Sequence, residues 1–156
     1  MTYFIDFDRT IFDTDAFKSR YGLMHMLMTF FATGRSGFAP SELQKYLYPD
    51  VPAFLEAHGA DTLVVTYGVE AFIMAKVSSA LAKFPLKRIV YTAEKKGHIM
   101  KKLCAEIPGP YRFIDDAVFQ LASVARHCPS VELFEMRRDG RVGDGRWKVI
   151  HNLDEL

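Results

Sequence analysis

The sequence has little of several features that would place it quickly. It contains two cysteines, Cys104 and Cys128, in 156 residues. They are too few and too unpatterned for a disulfide framework or a zinc site. Neither charge is in excess, with 20 Lys and Arg against 19 Asp and Glu. Nothing in that balance demands nucleic acid or an anionic membrane as a partner. No apolar run is long enough to span a bilayer; Leu23–Phe31 is broken by His25 and falls far short of the roughly 20 residues needed. No signal-peptide pattern precedes the first predicted strand, so the closing Leu153-Asp-Glu-Leu156 is not read as a retention tail. There is no internal repeat and no low-complexity tract. These absences leave one reduced, cytoplasmic, globular domain with no membrane association as the expectation.

What is present begins at the first predicted strand. Tyr3–Phe7 is apolar except for Asp6, and Asp8 follows two residues later. A continuous apolar run of this length suits a strand buried on both faces of a parallel sheet. Residues two apart in a strand point the same way, so Asp6 and Asp8 are expected to emerge together at its carboxyl end. Ligands of open α/β sheets bind at that end. With the Thr10 hydroxyl nearby, the pair is a candidate site for a hard cation and a phosphate. An Asp-x-Asp alone is also compatible with an Asx-type turn of ordinary solvated aspartates.

Further apolar segments alternate with helical ones. Strands are predicted at Thr62–Tyr67, Arg88–Thr92, Tyr111–Asp116 and Val131–Met136, with a short edge strand at Trp147–Ile150. Helices are expected from Asp15 to Thr33, from Pro40, up to His58, from Val69 to Lys83, from Glu94 to Glu106, and up to His127. This alternation predicts an α/β fold: a Rossmann-like three-layer sandwich with a mostly parallel five- or six-stranded sheet. The helical stretch between the first two strands is longer than a single crossover requires. Within it, Met24 and Met28 share a helix face and Met26 lies on another; packing against the sheet domain is the plainer expectation for them.

Three later positions carry chemistry. Thr66 ends the second strand, where its hydroxyl and the amides of Tyr67 and Gly68 can bind a phosphate oxygen, although core or capping roles also suit such a threonine. Lys95 and Lys96 stand at the start of a lysine-rich helix, a pattern that by itself also describes a solvated face. Asp115 and Asp116 are adjacent at a strand's carboxyl end, where two carboxylates repel unless cations compensate them. Capping of the next helix explains only one of the two.

The run Phe4-Ile-Asp-Phe-Asp-Arg-Thr-Ile-Phe-Asp-Thr14 resembles the first motif of the haloacid dehalogenase (HAD) superfamily, Asp-x-Asp-x-Thr after an apolar strand. Thr66, Lys96 and Asp115-Asp116 resemble the other three motifs in order. The chain departs at Arg9, where many members have glycine, and at Tyr67, where the family often has asparagine. The resemblance implies a core of residues 1–14 and 60–156 with a small helical cap at 15–59. It also implies a Mg²⁺-dependent phosphomonoester phosphatase acting on a small phosphorylated metabolite. Asp6 would be the nucleophile, forming an aspartyl-phosphate, and Asp8 the general acid and base. Thr66, Tyr67, Gly68 and Lys96, with Lys95 in reserve, would hold the phosphate. Asp6, Asp8, Asp115 and Asp116 would hold the metal, Asp116 directly. Arg137, Arg138, Arg141, Arg146 and Lys148 raise an alternative, a phosphatase of nucleic-acid ends. A non-catalytic binding or regulatory protein on the same fold is the second alternative.

Overall fold

The computed structural model describes residues 1–22, 28, 37–68 and 70–156. Among them, six strands form one sheet: β1 (Thr2–Ile5), β2 (Thr62–Tyr67), β3 (Arg88–Thr92), β4 (Tyr111–Asp115), β5 (Val131–Met136) and β6 (Lys148–Ile150). Their order is β3-β2-β1-β4-β5-β6, and every pairing is parallel. The predicted edge strand is therefore real, and it joins β5 through a glycine-containing loop instead of a helix.

The helices are α1 (Thr14–Tyr21), α2 (Pro40–Gln44), α3 (Val51–His58), α4 (Glu70–Ala80), α5 (Lys96–Glu106) and α6 (Val118–His127). They lie on both faces of the sheet, giving the expected three layers. The period-2 alternation of the strands decides which face each side chain enters. Tyr3, Ile5, Val64 and Ile114 pack with Val51, Phe54 and Leu55 of α3 and with Ile73, Val77 and Ala80 of α4. Phe4, Leu63, Val65 and Phe113 pack on the other side with Met100 and Leu103 of α5 and Leu121 and Val124 of α6. Each strand residue so buried removes an apolar side chain from water at roughly 25 cal/mol per Å².

α1 starts where expected, because the Asp13 carboxylate accepts from the Ala16 amide at 2.8 Å. It ends at Tyr21 with Gly22 as its C-cap, and the rest of the helix expected to run to Thr33 lies, Met28 apart, outside the described residues. Met24 and Met26 lie outside the described residues; Met28 is 64% exposed, unlike the packed methionine expected there. α3 lies within the stretch expected as a cap, yet it packs on the sheet, with the Phe54 ring edge-on to Tyr3 at 5.2 Å.

The arginines after β5 serve the fold. Arg138 pairs with Asp50 at 2.7 Å, donates from Nε and Nη2 to the Thr10 carbonyl at 2.9 and 2.8 Å, and lies over the Tyr48 ring. Both members of the pair are about one-tenth exposed. Arg137 pairs with the buried Glu135, Arg141 with Asp139, and Arg146 with Asp144. Lys148 sits over the Phe134 ring at 5.0 Å. Removing one partner of a nearly buried pair strands the other charge, at about 3 kcal/mol. Arg138→Ala should therefore lower the unfolding free energy in urea by about that amount. Arg141→Ala, whose side chain is 82% exposed, should stay within about 0.5 kcal/mol of wild type.

Candidate active site

β1 lies between β2 and β4, so connections leave it in both directions and a crevice opens beyond its carboxyl end. Asp6 follows β1 directly, its amide donating to the Ile114 carbonyl at 2.9 Å. Thr66 is near the end of β2, and Asp115 ends β4. Lys96 is the first residue of α5. The sheet and α5 thus bring Asp6, Asp115 and Lys96 together, with Thr66 near the same end of the sheet.

Lys96 is the hub. Its ammonium is buried, forms a short hydrogen bond with Asp6, and reaches Asp115 Oδ2 at 2.8 Å. Lys95 is exposed, which decides between the two lysines. The backbone of Lys96 is held from α6, because Gln120 Oε1 accepts its amide at 2.9 Å. Gly97 makes this possible: a Cβ there would lie 2.4 Å from the Ser123 carbonyl oxygen and 2.6 Å from His127 Nδ1. Any larger residue would push α5 from α6 and carry the ammonium with it.

Asp6, Asp115 and Asp116 each offer an oxygen, all within 4.8 Å of one another. One lysine cannot neutralise three carboxylates. Burial pushes the Asp6 carboxyl up to about 7, against the pull of Lys96 and with a further push from Asp115. Asp115 is raised by the same burial. Asp116 is pushed up to about 6, by burial and then by Asp6. Burial opposes the Lys96 charge, but Asp115 and Asp6 outweigh it and hold the ammonium above its ordinary range. Asp115 is already engaged by the Lys96 ammonium and, through Oδ1, by the Ala117 amide at 2.8 Å. Asp116 is the less committed carboxylate.

The Asp8 carboxylate does not join this cluster. β1 ends at Ile5, so strand parity no longer governs position 8, which lies in a turn closed by the Phe12 and Ile11 amides on the Phe7 carbonyl at 3.0 Å. Asp8 Oδ1 instead accepts from Lys76 of α4 at 2.5 Å and from the Thr14 hydroxyl. Burial alone would raise its pKa; Lys76 and Thr14 overcome this and hold it below the usual carboxylate range. The Lys76 ammonium is itself buried, 5.1 Å from the centres of both the Phe7 and Phe12 rings. Lys76 was not anticipated. Its signal is that it is the only cation in the otherwise largely apolar segment Glu70–Ala80.

Thr66 is buried, while Tyr67 is half exposed. Gly68 takes φ +148°, and a Cβ there would lie 2.2 Å from Ile73 Cδ1, so glycine is required. The Thr10 hydroxyl is buried without a hydrogen-bond partner among the described residues. Arg9 has φ +61°, a left-handed conformation that costs a residue with a Cβ about 1 kcal/mol. Its guanidinium forks onto Asp15 with both distances 2.9 Å. That pair is more than half exposed and worth less than about 1 kcal/mol. Beside Asp116 a cleft of about 450 Å³ opens, walled by Arg9, Asp13, Asp15, Tyr48 and residues 136–139.

Solved structures share the fold. A haloacid dehalogenase-like hydrolase from Burkholderia xenovorans superposes with a TM-score of 0.71 at 16% identity, over 99% of this chain and 94% of that one. This is the haloacid dehalogenase (HAD) fold. The HAD hydrolase YfnB from Bacillus subtilis, solved with magnesium, gives 0.66 at 14% identity, over 99% and 96%. A HAD family enzyme from Bacteroides thetaiotaomicron, in complex with magnesium and inorganic phosphate, gives 0.53 at 12% identity, over 92% and 96%. No family model and no curated protein matches the sequence. At these identities the shared property is the HAD fold.

The raised carboxyls set a pH dependence. A carboxyl whose folded pKa lies above its unfolded value contributes stability that is complete below about pH 4 and lost as pH rises through the folded value. In metal-free buffer, this contribution from Asp6 and Asp116 should fall between about pH 4 and 7. Urea unfolding at intervals across that range, in wild type and in Asp6→Asn, should show a shallower decline in the variant.

Proposed function

We propose that this protein is a Mg²⁺-dependent phosphomonoester phosphatase acting through an aspartyl-phosphate on Asp6. The observation that carries the reading is the cluster of Asp6, Asp115 and Asp116 around one buried lysine. Three carboxylates with raised pKa values form a site short of positive charge. Their donors are all hard oxygens, which suits Mg²⁺ better than a softer metal. Asp6, Asp116 and Asp115 would hold the ion, with Asp116 the freest to ligate. When bound, Mg²⁺ neutralises charge so that an anionic carboxylate can approach an anionic phosphate. Displacing a halide from an uncharged carbon has no such need, and this favours phosphoryl transfer over dehalogenation. The neighbours solved with magnesium, one of them also with phosphate, support the same reading.

In the first step the Asp6 carboxylate attacks phosphorus, the bond from phosphorus to the leaving oxygen breaks, and that oxygen takes a proton. In the second, water attacks the phosphorus of the aspartyl-phosphate, freeing Asp6 and inorganic phosphate, and its proton passes to Asp8. Asp8 is the base of the second step and, once protonated, the acid of the next first step, a contribution of roughly 10²–10⁴-fold. Thr66, the amides of Tyr67 and Gly68, and Lys96 hold the phosphoryl oxygens. α1, whose Asp15 lines the cleft, would form part of a small cap at the entrance. Arg137 and Arg138 are held by Glu135 and Asp50, and a chain this close to neutral has no basic track for a nucleic-acid backbone, so a small phosphorylated metabolite is the substrate class. Two free cysteines suit a reducing, cytoplasmic setting.

Asp6→Asn should remain folded and lose turnover of p-nitrophenyl phosphate; turnover like that of wild type removes the nucleophile. Mg²⁺ should raise the melting temperature of the intact protein, and Asp116→Ala should erase that rise. Activity that persists in EDTA, with a melting temperature indifferent to Mg²⁺, overturns the metal assignment.

Leaving-group dependence tests Asp8. Because Lys76 and Thr14 hold it ionised at rest, proton delivery should slow alkyl phosphates more than nitrophenyl phosphate. Asp8→Asn should then cost alkyl substrates at least about tenfold more in kcat/KM than the aryl one. Equal losses remove Asp8 from the acid role.

A further inference from the structure

Arg9 stands out because nothing in the fold accounts for it. It occupies a left-handed turn position that favours glycine, and its pairing with exposed Asp15 is too weak to offset that strain. Backbone strain of this kind persists where the site uses the side chain.

Its surroundings indicate the use. The cleft beside Asp116 is within the size range of small-molecule sites. Of the residues assigned to the phosphoryl centre, its wall includes Asp116 alone; Asp6, Thr66 and Lys96 are not part of it. The cleft therefore adjoins that centre at Asp116. Three arginines line it, Arg9, Arg137 and Arg138, alongside the carboxylate residues Asp13, Asp15, Asp116 and Asp139. Arg138 is committed to Asp50 and the Thr10 carbonyl, with its side chain one-tenth exposed. Arg137 is tied to Glu135, which is completely buried. Arg9 alone of the three holds a partner in solvent, with side-chain exposures of 53% and 66%. Exchanging Asp15 for another anion costs it little. A planar guanidinium matches a carboxylate or phosphate through two parallel hydrogen bonds.

Building on the phosphatase reading, we infer that Arg9 reads a second anionic group on the leaving-group side of the substrate, releasing Asp15 as it does so. The substrate class is a phosphomonoester whose leaving group carries a carboxylate or a second phosphate a few bonds from the ester oxygen.

The test uses two probes with the same primary alkyl ester, 3-phosphoglycerate and glycerol 3-phosphate, one bearing a carboxylate where the other bears a hydroxymethyl group. Wild type should favour 3-phosphoglycerate in kcat/KM by about tenfold or more, and Arg9→Gly should remove most of that preference. The glycine variant should melt no lower than wild type, because it relieves the left-handed strain, so a lost preference is not a lost fold. Calorimetric titration of both probes into Asp6→Asn, with and without Arg9→Gly, reads the same ratio as affinity and needs no turnover. A preference for glycerol 3-phosphate in wild type, or a ratio that Arg9→Gly leaves within about twofold by kinetics and by affinity, overturns the inference. Failure of wild type to hydrolyse p-nitrophenyl phosphate counts against the phosphatase reading instead, and the affinity ratio still decides Arg9.

Discussion

The buried ammonium of Lys96 is the interaction on which the site depends. It is shared by Asp6 and Asp115, which arrive from two neighbouring strands, and a buried carboxylate with no cation beside it would have to take up a proton. Even with the lysine, the cluster holds more negative charge than it can balance. That residual imbalance makes the site receptive to a cation. The position of Lys96 rests in turn on the close approach of α5 to α6 at Gly97 and on the Gln120 side chain beneath its amide. An interhelical contact thus controls an electrostatic centre.

A second ion pair, between Asp8 and Lys76, stands beside the first, with the Lys76 ammonium over the Phe7 and Phe12 rings. Two carboxylates two residues apart therefore sit in opposite electrostatic conditions, Asp6 raised and Asp8 lowered. The division is achieved by which helix donates the lysine.

Much of this was legible along the chain. Buried parallel strands announce themselves by apolar runs, so Asp6, Thr66 and Asp115 could be placed at strand ends, and the edge strand at 148–150 was visible beyond its glycine-rich loop. The turn after β1 was less legible. Parity predicted that Asp6 and Asp8 share a direction, but the strand stops before Asp6 and the turn sends Asp8 towards α4. Lys76, Gln120 and the Arg138–Asp50 pair were hidden because each depends on packing between elements distant in sequence. Local pattern also leaves Lys95 and Lys96 equivalent, and the helix phase relative to α6 separates them.

Arg138 joins chain sections made at very different times. Its guanidinium binds the Thr10 carbonyl and Asp50, which precede it by 128 and 88 positions. During synthesis from the N-terminus, the turn after β1 and the Asp50 segment leave the ribosome long before the residue that clasps them. The cleft wall therefore cannot be complete on a partly made chain, and closing so long a loop precedes any gain from the clasp. A nascent chain that has already paired β1 with β2 still lacks residues 136–139, so this cleft acquires its far wall only with the last strands.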